Sequence, residues 1–389
     1  MILLFLAGLI LRIFLSLQIY SGDVNNHVSW GRDILKFGPA GVYQREFMSR
    51  YGTLTPTYPP VPLLLFTLSQ GAFNWVSRTA WDTNLKYPLF PSQIVWWLQD
   101  QDTQPAFHKI WAIAADIGIA WLVYTVTKKR WLAALVLFNP AFFYNSASWG
   151  QIESVPVFFL VAAFLTRRPF LSAVSFTLAL LTKQSSIIFI PLYTLFFYRR
   201  FGMTQSIKSA VVGLAIFLLA FLPFAAPPLA TYWHIIQTGS GSDYVVDHAF
   251  NFWALTTGLG KIPDANYRVW GYSLFGACLF FILSRKSISV FPAATLIVMA
   301  AFFLLTRMHE RYLLPALVFL IFWLARDRRL LPVFIYLSLF HWLNLYHNWW
   351  YPRWPALVAL LTPIFNIQIL TLVALLAFIW LLWRYYARD

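Results

Sequence analysis

Apolar runs of about 15 to 20 residues recur along this chain, each closed by a short turn of polar or basic residues. An α-helix of that length crosses the hydrocarbon core of a bilayer, so the pattern predicts an all-α polytopic membrane protein with about 11 to 13 transmembrane helices. The spans fall near residues 2 to 19, 108 to 126, 131 to 147, 153 to 166, 170 to 183, 185 to 198 and 207 to 224. Further spans fall near 267 to 284, 289 to 306, 311 to 325, 330 to 346 and 362 to 383. Residues 170 to 183 are short for a crossing, so that segment and the next also read as one broken or re-entrant element lining a cavity.

Charge orients the pattern. The basic clusters are Lys128-Lys129-Arg130, Arg167-Arg168, Arg199-Arg200 with Lys208, Arg285-Lys286, Arg326 to Arg329, and Arg384. Basic short loops mark the cytoplasmic side, and with the N-terminus inside every cluster lies inside. This requires that residues 60 to 76, PVPLLLFTLSQGAFNWV, do not cross; they are expected to form an amphipathic helix lying on or dipping into the outer surface. Of the 14 acidic residues only Asp327 and Asp389 then fall inside, and Asp116 lies within a span. The outer side receives two long loops, 20 to 107 and 225 to 266, within one integral membrane domain covering residues 1 to 389.

Composition supports this class, with 60% hydrophobic and 11% charged residues, against about 25% charged in an average soluble protein. The net charge of +15 sits in clusters between apolar runs, with no basic face carrying base-stacking aromatics, so nucleic acid is excluded as a partner. The single cysteine, Cys278, permits no intrachain disulfide. The first apolar run lacks a basic leader and a small-residue cleavage site and reads as a retained anchor. With no evident retention signal, the expected location is a prokaryotic plasma membrane with the active site outside, or the endoplasmic reticulum membrane in a eukaryote.

The candidate chemistry lies on the outer side. SGDVNNHVSWGRDILKFG, residues 21 to 38, predicts a helix capped by Asn25 or Asn26 and stopped at Gly38-Pro39. Asp23, just outside the first span, is placed to take a proton from a hydroxyl nucleophile, or else is a turn or capping residue. Asp33, with Arg32 and Lys36 nearby, reads first as a solvated ion pair and second as a sugar ligand. TPTYPPVP, residues 55 to 62, is a rigid entry to the surface helix and carries Tyr58. Trp149, Gln151 and Glu153 suit hydrogen bonding to a sugar, although Trp149 suits an interfacial anchor and the other two a helix cap. Lys183 lies outside, against the charge trend, where a lysine often snorkels. TRMHERYLLP, residues 306 to 315, crowds Arg307, His309, Glu310 and Arg311 into one turn that suits a lipid phosphate. A metalloprotease reading fails there, because Leu313 stands where the second histidine would be. Arg12, inside the first span, is either structural or phosphate-facing. The GSGS of residues 239 to 242 follows no predicted strand and reads as a turn.

Asp23, Tyr58-Pro59-Pro60 and His309-Glu310-Arg311, in that order and on one side, resemble the motifs of the GT-C glycosyltransferases that use polyprenyl-phosphate sugars. Dolichyl-phosphate-dependent glucosyltransferases of N-glycan precursor assembly, and related prokaryotic mannosyltransferase-like proteins, are the most similar in pattern, over most of the chain. The resemblance implies a bundle of spans with surface helices in the first outer loop. It implies Asp23 as catalytic base and the His309 region as the donor-phosphate site. A double-aspartate motif is absent, since Val24 and Asn25 follow Asp23, so no cofactor is required and a divalent metal has no motif to support it. The chain also has no appended soluble outer domain of the kind that would support oligosaccharide transfer to protein.

The expected reaction is inverting displacement at the anomeric carbon of a mannose or glucose carried on polyprenyl phosphate. Asp23 would activate the acceptor hydroxyl of a lipid-linked or protein glycan. Arg307, His309 and Arg311, with Lys183, would stabilise the departing phosphate. Asp33, Tyr58, Trp149, Gln151, Glu153 and Glu310 are the expected sugar and acceptor ligands. A transporter or flippase would share the many spans but often shows internal repeats, and none is visible here. A noncatalytic scaffold would tolerate any change at Asp23.

Overall fold

The computed structural model describes residues 1–45, 54–100, 103–239 and 241–387, and among them there is no β-strand, only two isolated bridges. The first helices are α1 (Ile2–Ser16), α2 (Gly22–Phe37), α3 (Pro60–Lys86), α4 (Ser92–Gln99), α5 (Thr103–Thr127) and α6 (Arg130–Leu137). Next come α7 (Pro140–Phe143), α8 (Ser154–Leu165), α9 (Pro169–Thr182), α10 (Ile190–Leu219), α11 (Pro228–Thr238) and α12 (Phe252–Thr257). The chain closes with α13 (Arg268–Leu283), α14 (Val290–Leu304), α15 (Leu314–Leu324), α16 (Leu331–Trp349), α17 (Pro355–Leu361) and α18 (Ile364–Tyr386). Among the described residues three helical segments are long and apolar enough, by length and composition, to cross a membrane: Thr103–Thr127, Gln184–Phe224 and Ile364–Tyr386. The other expected spans form shorter helices.

The basic clusters gather at one end of the bundle. Lys129 Nζ donates to Ala325 O at 2.6 Å, and Arg328 lies 5.9 Å from the Trp131 ring centroid. Arg384 pairs with Asp327 at 2.7 Å, Arg285 lies over Tyr385, and Arg199 donates to Lys286 O. Four helices lead away from this end. The helices α9, α14 and α16 each start beside a basic cluster and end beside Lys183, the 307–311 turn and Asn348, while α5 runs the other way, from Lys109 to the 128–130 cluster. The basic loops and the polar segments that carry Asp23, Lys183 and the 307–311 turn therefore occupy opposite ends.

The packed core is aliphatic and aromatic, with α14 and α15 buried almost throughout. Within it sits the ion pair of Arg12 and Asp116, both 0% exposed, at 2.9 Å. The guanidinium also donates to Leu137 O at 2.6 Å and Val136 O at 3.0 Å, and Asp116 accepts from Ser146 and Ser154 at 2.7 and 2.5 Å. Arg12 is therefore structural, with its guanidinium bonded to Asp116 and to backbone carbonyls.

Several expectations change in detail. The span near 131 to 147 is interrupted at Asn139-Pro140. Asn139 caps α7, and a π-helix, Tyr144–Trp149, continues it. The helix expected over 60 to 76 extends to Lys86 and packs against α2 and antiparallel to the start of α5, where Trp111 Nε1 donates to Leu65 O and Ser69 Oγ. It begins and ends on the polar side, with Trp75 and Trp81 exposed. Gly202, at φ 78° and ψ 172°, folds α10 back on itself. Tyr193 before it stacks on Phe176, and Gly213 after it lies against Thr177, so both arms meet α9 at one level. The expected broken element at 170 to 198 is a helix, a 3-10 turn at Gln184–Phe189, and a second helix. Ser240 of the GSGS stretch and Asp389 lie outside the described residues.

Removing one partner of a buried ion pair strands the other charge. Asp116→Ala is expected to destabilise the protein by about 3–5 kcal/mol, read as an earlier thermal transition of the purified protein in detergent.

Candidate functional site

Asp23 owes its position to the chain just before it. α1 ends at Ser16, and α2 begins at Gly22 with Ser21 as its extended N-cap, which places Asp23 in the first helical turn. Asn25 and Asn26 therefore lie inside α2 and do not cap it. Ser21 N donates to Trp149 O at 3.3 Å, tying this entry to the π-helix. Lys109, fully buried on α5, reinforces the tie, because its ammonium donates to the carbonyls of Ser16, Ile19 and Ser148. Gly150 follows the π-helix at φ +89°, and a Cβ there would lie 2.4 Å from Val24 Cγ2. Only glycine meets both conditions. The next residue, Gln151, donates its Nε2 to Asp23 Oδ2.

Asp23 opens on a polar cavity of about 320 Å³ also lined by His27, Tyr58, Lys183, His309, Arg311 and Tyr312. Lys183 ends α9 and lies 4.8 Å from the ring centroid of Tyr312. Glu153 Oε1 accepts Lys183 Nζ and lies 3.0 Å from Arg311 Nε, while Arg311 Nη1 donates to Glu310 Oε1 at 2.9 Å. Burial raises the Glu310 carboxyl above its usual range, and Arg311 opposes that. Burial, then Arg311 and Lys183, push His27 down to about 3, so it is neutral at physiological pH. Its ring stacks on Phe66 at 4.1 Å.

An apolar slot of about 150 Å³ adjoins the cavity, and Lys183 and Tyr312 line both. Its walls come from α8, the 184–189 turn and α14, including Leu160, Phe189, Val298 and Ala301, with Glu153 at the polar end.

The second long loop closes the cavity opposite Asp23. Asp247 Oδ2 lies 3.2 Å from His309 Nε2 and accepts from Ser242 Oγ at 2.7 Å. Asn344 on α16 pins this loop, accepting from Phe250 N and donating to His248 O. Arg307 pins it from the other side. Its guanidinium pairs with Asp264 at 2.7 Å and Asp243 at 3.0 Å, and Val246 bridges Met308.

The predicted residues thus separate into groups. Asp23, Tyr58, Lys183, His309 and Arg311 share the cavity, with Gln151, Glu153 and Glu310 directly behind its charged members. Arg307, expected at the phosphate, does not line it and clamps the second long loop through Asp264 and Asp243. Trp149 is also displaced from the expected site, because it is buried and stacked on Trp349 at 5.7 Å. Asp33 pairs with Arg45 at 2.6 Å, not with Arg32 or Lys36, and does not line the cavity. Sequence reading missed Asn26, His27, Asp247, His248 and Asn348 as lining residues, Ser242 as more than a turn residue, and Lys109 as a support. An Asp-His pair in an outer loop was the available signal for two of them. Among the described residues no cluster of three or more His, Cys, Asp or Glu is arranged to hold a metal ion.

Burial raises the Asp264 carboxyl, but hydrogen bonds from Arg307, Arg268 and Thr306 outweigh it and hold it at about 2 against 3.8 unperturbed. A folded value below the unfolded one gives stabilisation that is present above the unfolded value and lost as pH falls through the folded one. The melting-temperature gap between the native protein and Asp264→Asn is therefore expected to shrink as pH falls from about 4 to about 2. The chain matches no protein-family model and no curated protein sequence.

Proposed function

We propose that this protein is a multi-pass membrane glycosyltransferase that takes a hexose, mannose or glucose, from a polyprenyl-phosphate donor. The observation that carries the reading is the joining of a polar cavity, lined by the carboxylates of Asp23 and Asp247 and the cations Lys183 and Arg311, to an apolar slot at Lys183 and Tyr312. A lipid-linked sugar has that division: an apolar tail, a phosphate and a polar sugar. By the positive-inside rule, the end that gathers the basic clusters faces the cytoplasm and the cavity faces outward. Spans beyond the three long apolar segments come from the shorter helices paired with their terminal turns.

In this reading the sugar occupies the cavity between Asp23 and the cations. Asp23 accepts the proton of the acceptor hydroxyl as its oxygen attacks the anomeric carbon. The phosphate leaves from the opposite face, and Lys183 and Arg311 stabilise the charge that develops on it. His309 and Asp247 border the same space and hold sugar hydroxyls. The acceptor is a glycan on a lipid or a protein, reached from the outer side. A lipid or glycan carrier is the competing function. Carrier sites lie near mid-depth, whereas this cavity lies at one end of the bundle, which favours transfer.

The test is transfer of labelled sugar from polyprenyl-phosphate mannose and glucose to a pool of lipid and peptide acceptors by the purified protein. Native protein is expected to transfer, and Asp23→Asn to lose at least about a hundredfold in rate with its melting temperature retained. Full activity in the variant removes Asp23 as the base. Donor binding without transfer to any acceptor favours the carrier.

A further inference from the structure

The junction between slot and cavity is where the phosphate of a lipid-linked sugar must sit, and a carboxylate already occupies it. Glu153 lines the slot, and its Oε1 holds Lys183 and Arg311, the two cations that face the cavity. Its other oxygen, Oε2, is buried and has no hydrogen-bond partner. Glu310 Oε2 is likewise buried without a hydrogen-bond partner, but Glu310 pairs with Arg311 and lines neither space, whereas Glu153 lines the slot.

Charge counting sharpens the point. Lys183 and Arg311 are matched by Glu153 and Glu310, and Asp23 and Asp247 add negative charge around the same cavity. Among the described residues that line the cavity, the imidazoles of His309 and His248 lie beside Asp247, and His27 is neutral. Tyr58 and Tyr312 flank the cluster without charge. An oxyanion entering these surroundings adds charge of the wrong sign at low dielectric, where an unpaired buried carboxylate costs several kcal/mol. A protonated carboxyl removes that cost.

We propose that Glu153 is the resident counter-anion of the phosphate seat: an entering lipid phosphate displaces it from Lys183 and Arg311, and Glu153 takes up a proton from solvent as it is released. The inference rests on the donor-site reading above and adds to it that donor binding is coupled to protonation. The seat stays neutral when empty and when filled. It also follows that the departing phosphate is expelled as Glu153 gives up its proton and recaptures the cations. Donor affinity therefore falls as pH rises.

Isothermal calorimetry of the full-length protein in detergent tests this with a short-prenyl phosphoglucose, a phosphodiester with no titration of its own near neutral pH. Binding is measured in two buffers of different ionisation enthalpy at about pH 7.5 and repeated with Glu153→Gln. The native protein is expected to take up close to one proton per ligand bound. The variant should take up almost none and bind about tenfold tighter, with its pH dependence flattened. Binding by the native protein without proton uptake overturns the coupling even if the variant does not fold, and uptake that persists in a folded Glu153→Gln overturns the role of Glu153. Both outcomes leave the donor site standing. An absence of binding by both proteins overturns the donor site and the coupling together.

Discussion

The rest of the architecture depends on the buried pair of Arg12 and Asp116. Shut off from the protein surface, each charge requires the other, and Ser146, Ser154 and the carbonyls at the end of α6 complete their hydrogen bonding. That requirement brings α1, α5, α6, the π-helix and α8 to one point. Lys109 repeats the device one layer toward the polar end, where its ammonium gathers three carbonyls from the end of α1 and from the π-helix. The two cations fix the strand of chain that presents Asp23 on one side and Gln151 on the other.

The cavity is assembled from segments far apart in sequence, and ionic clamps do the assembling. Arg307 and Asn344 hold the second long loop against the 306–310 turn and α16. Glu153 and Glu310 hold Arg311 and, with it, Lys183. Each clamp fixes a side chain of its element in place while pairing its charge.

Much of the architecture was legible in the sequence. Apolar run length and the placement of arginine and lysine located most helices, and the basic loops do meet at one end. The motif order brought Asp23, Tyr58, Lys183, His309 and Arg311 to one side, and they share a cavity. What was not legible was pairing. Nothing in TRMHERYLLP says that Arg307 turns to Asp264 while Arg311 turns to Glu153, because that choice depends on where a loop more than forty residues upstream closes. Trp149 and Lys109 were hidden for a similar reason. A tryptophan near a span end and a lysine at a helix start have surface roles in most contexts, and here the π-helix and Trp349 bury one while three carbonyls bury the other.

The most direct measurement of the central claim is the position of a bound donor analogue, by determining the structure with a non-hydrolysable polyprenyl-phosphonate sugar. The account predicts the phosphonate against Lys183 and Arg311, the prenyl tail in the slot bounded by Leu160, Phe189 and Ala301, and the sugar between His309 and Asp23. A phosphonate held elsewhere, for example by the exposed Arg32 and Lys36 on α2, would contradict it.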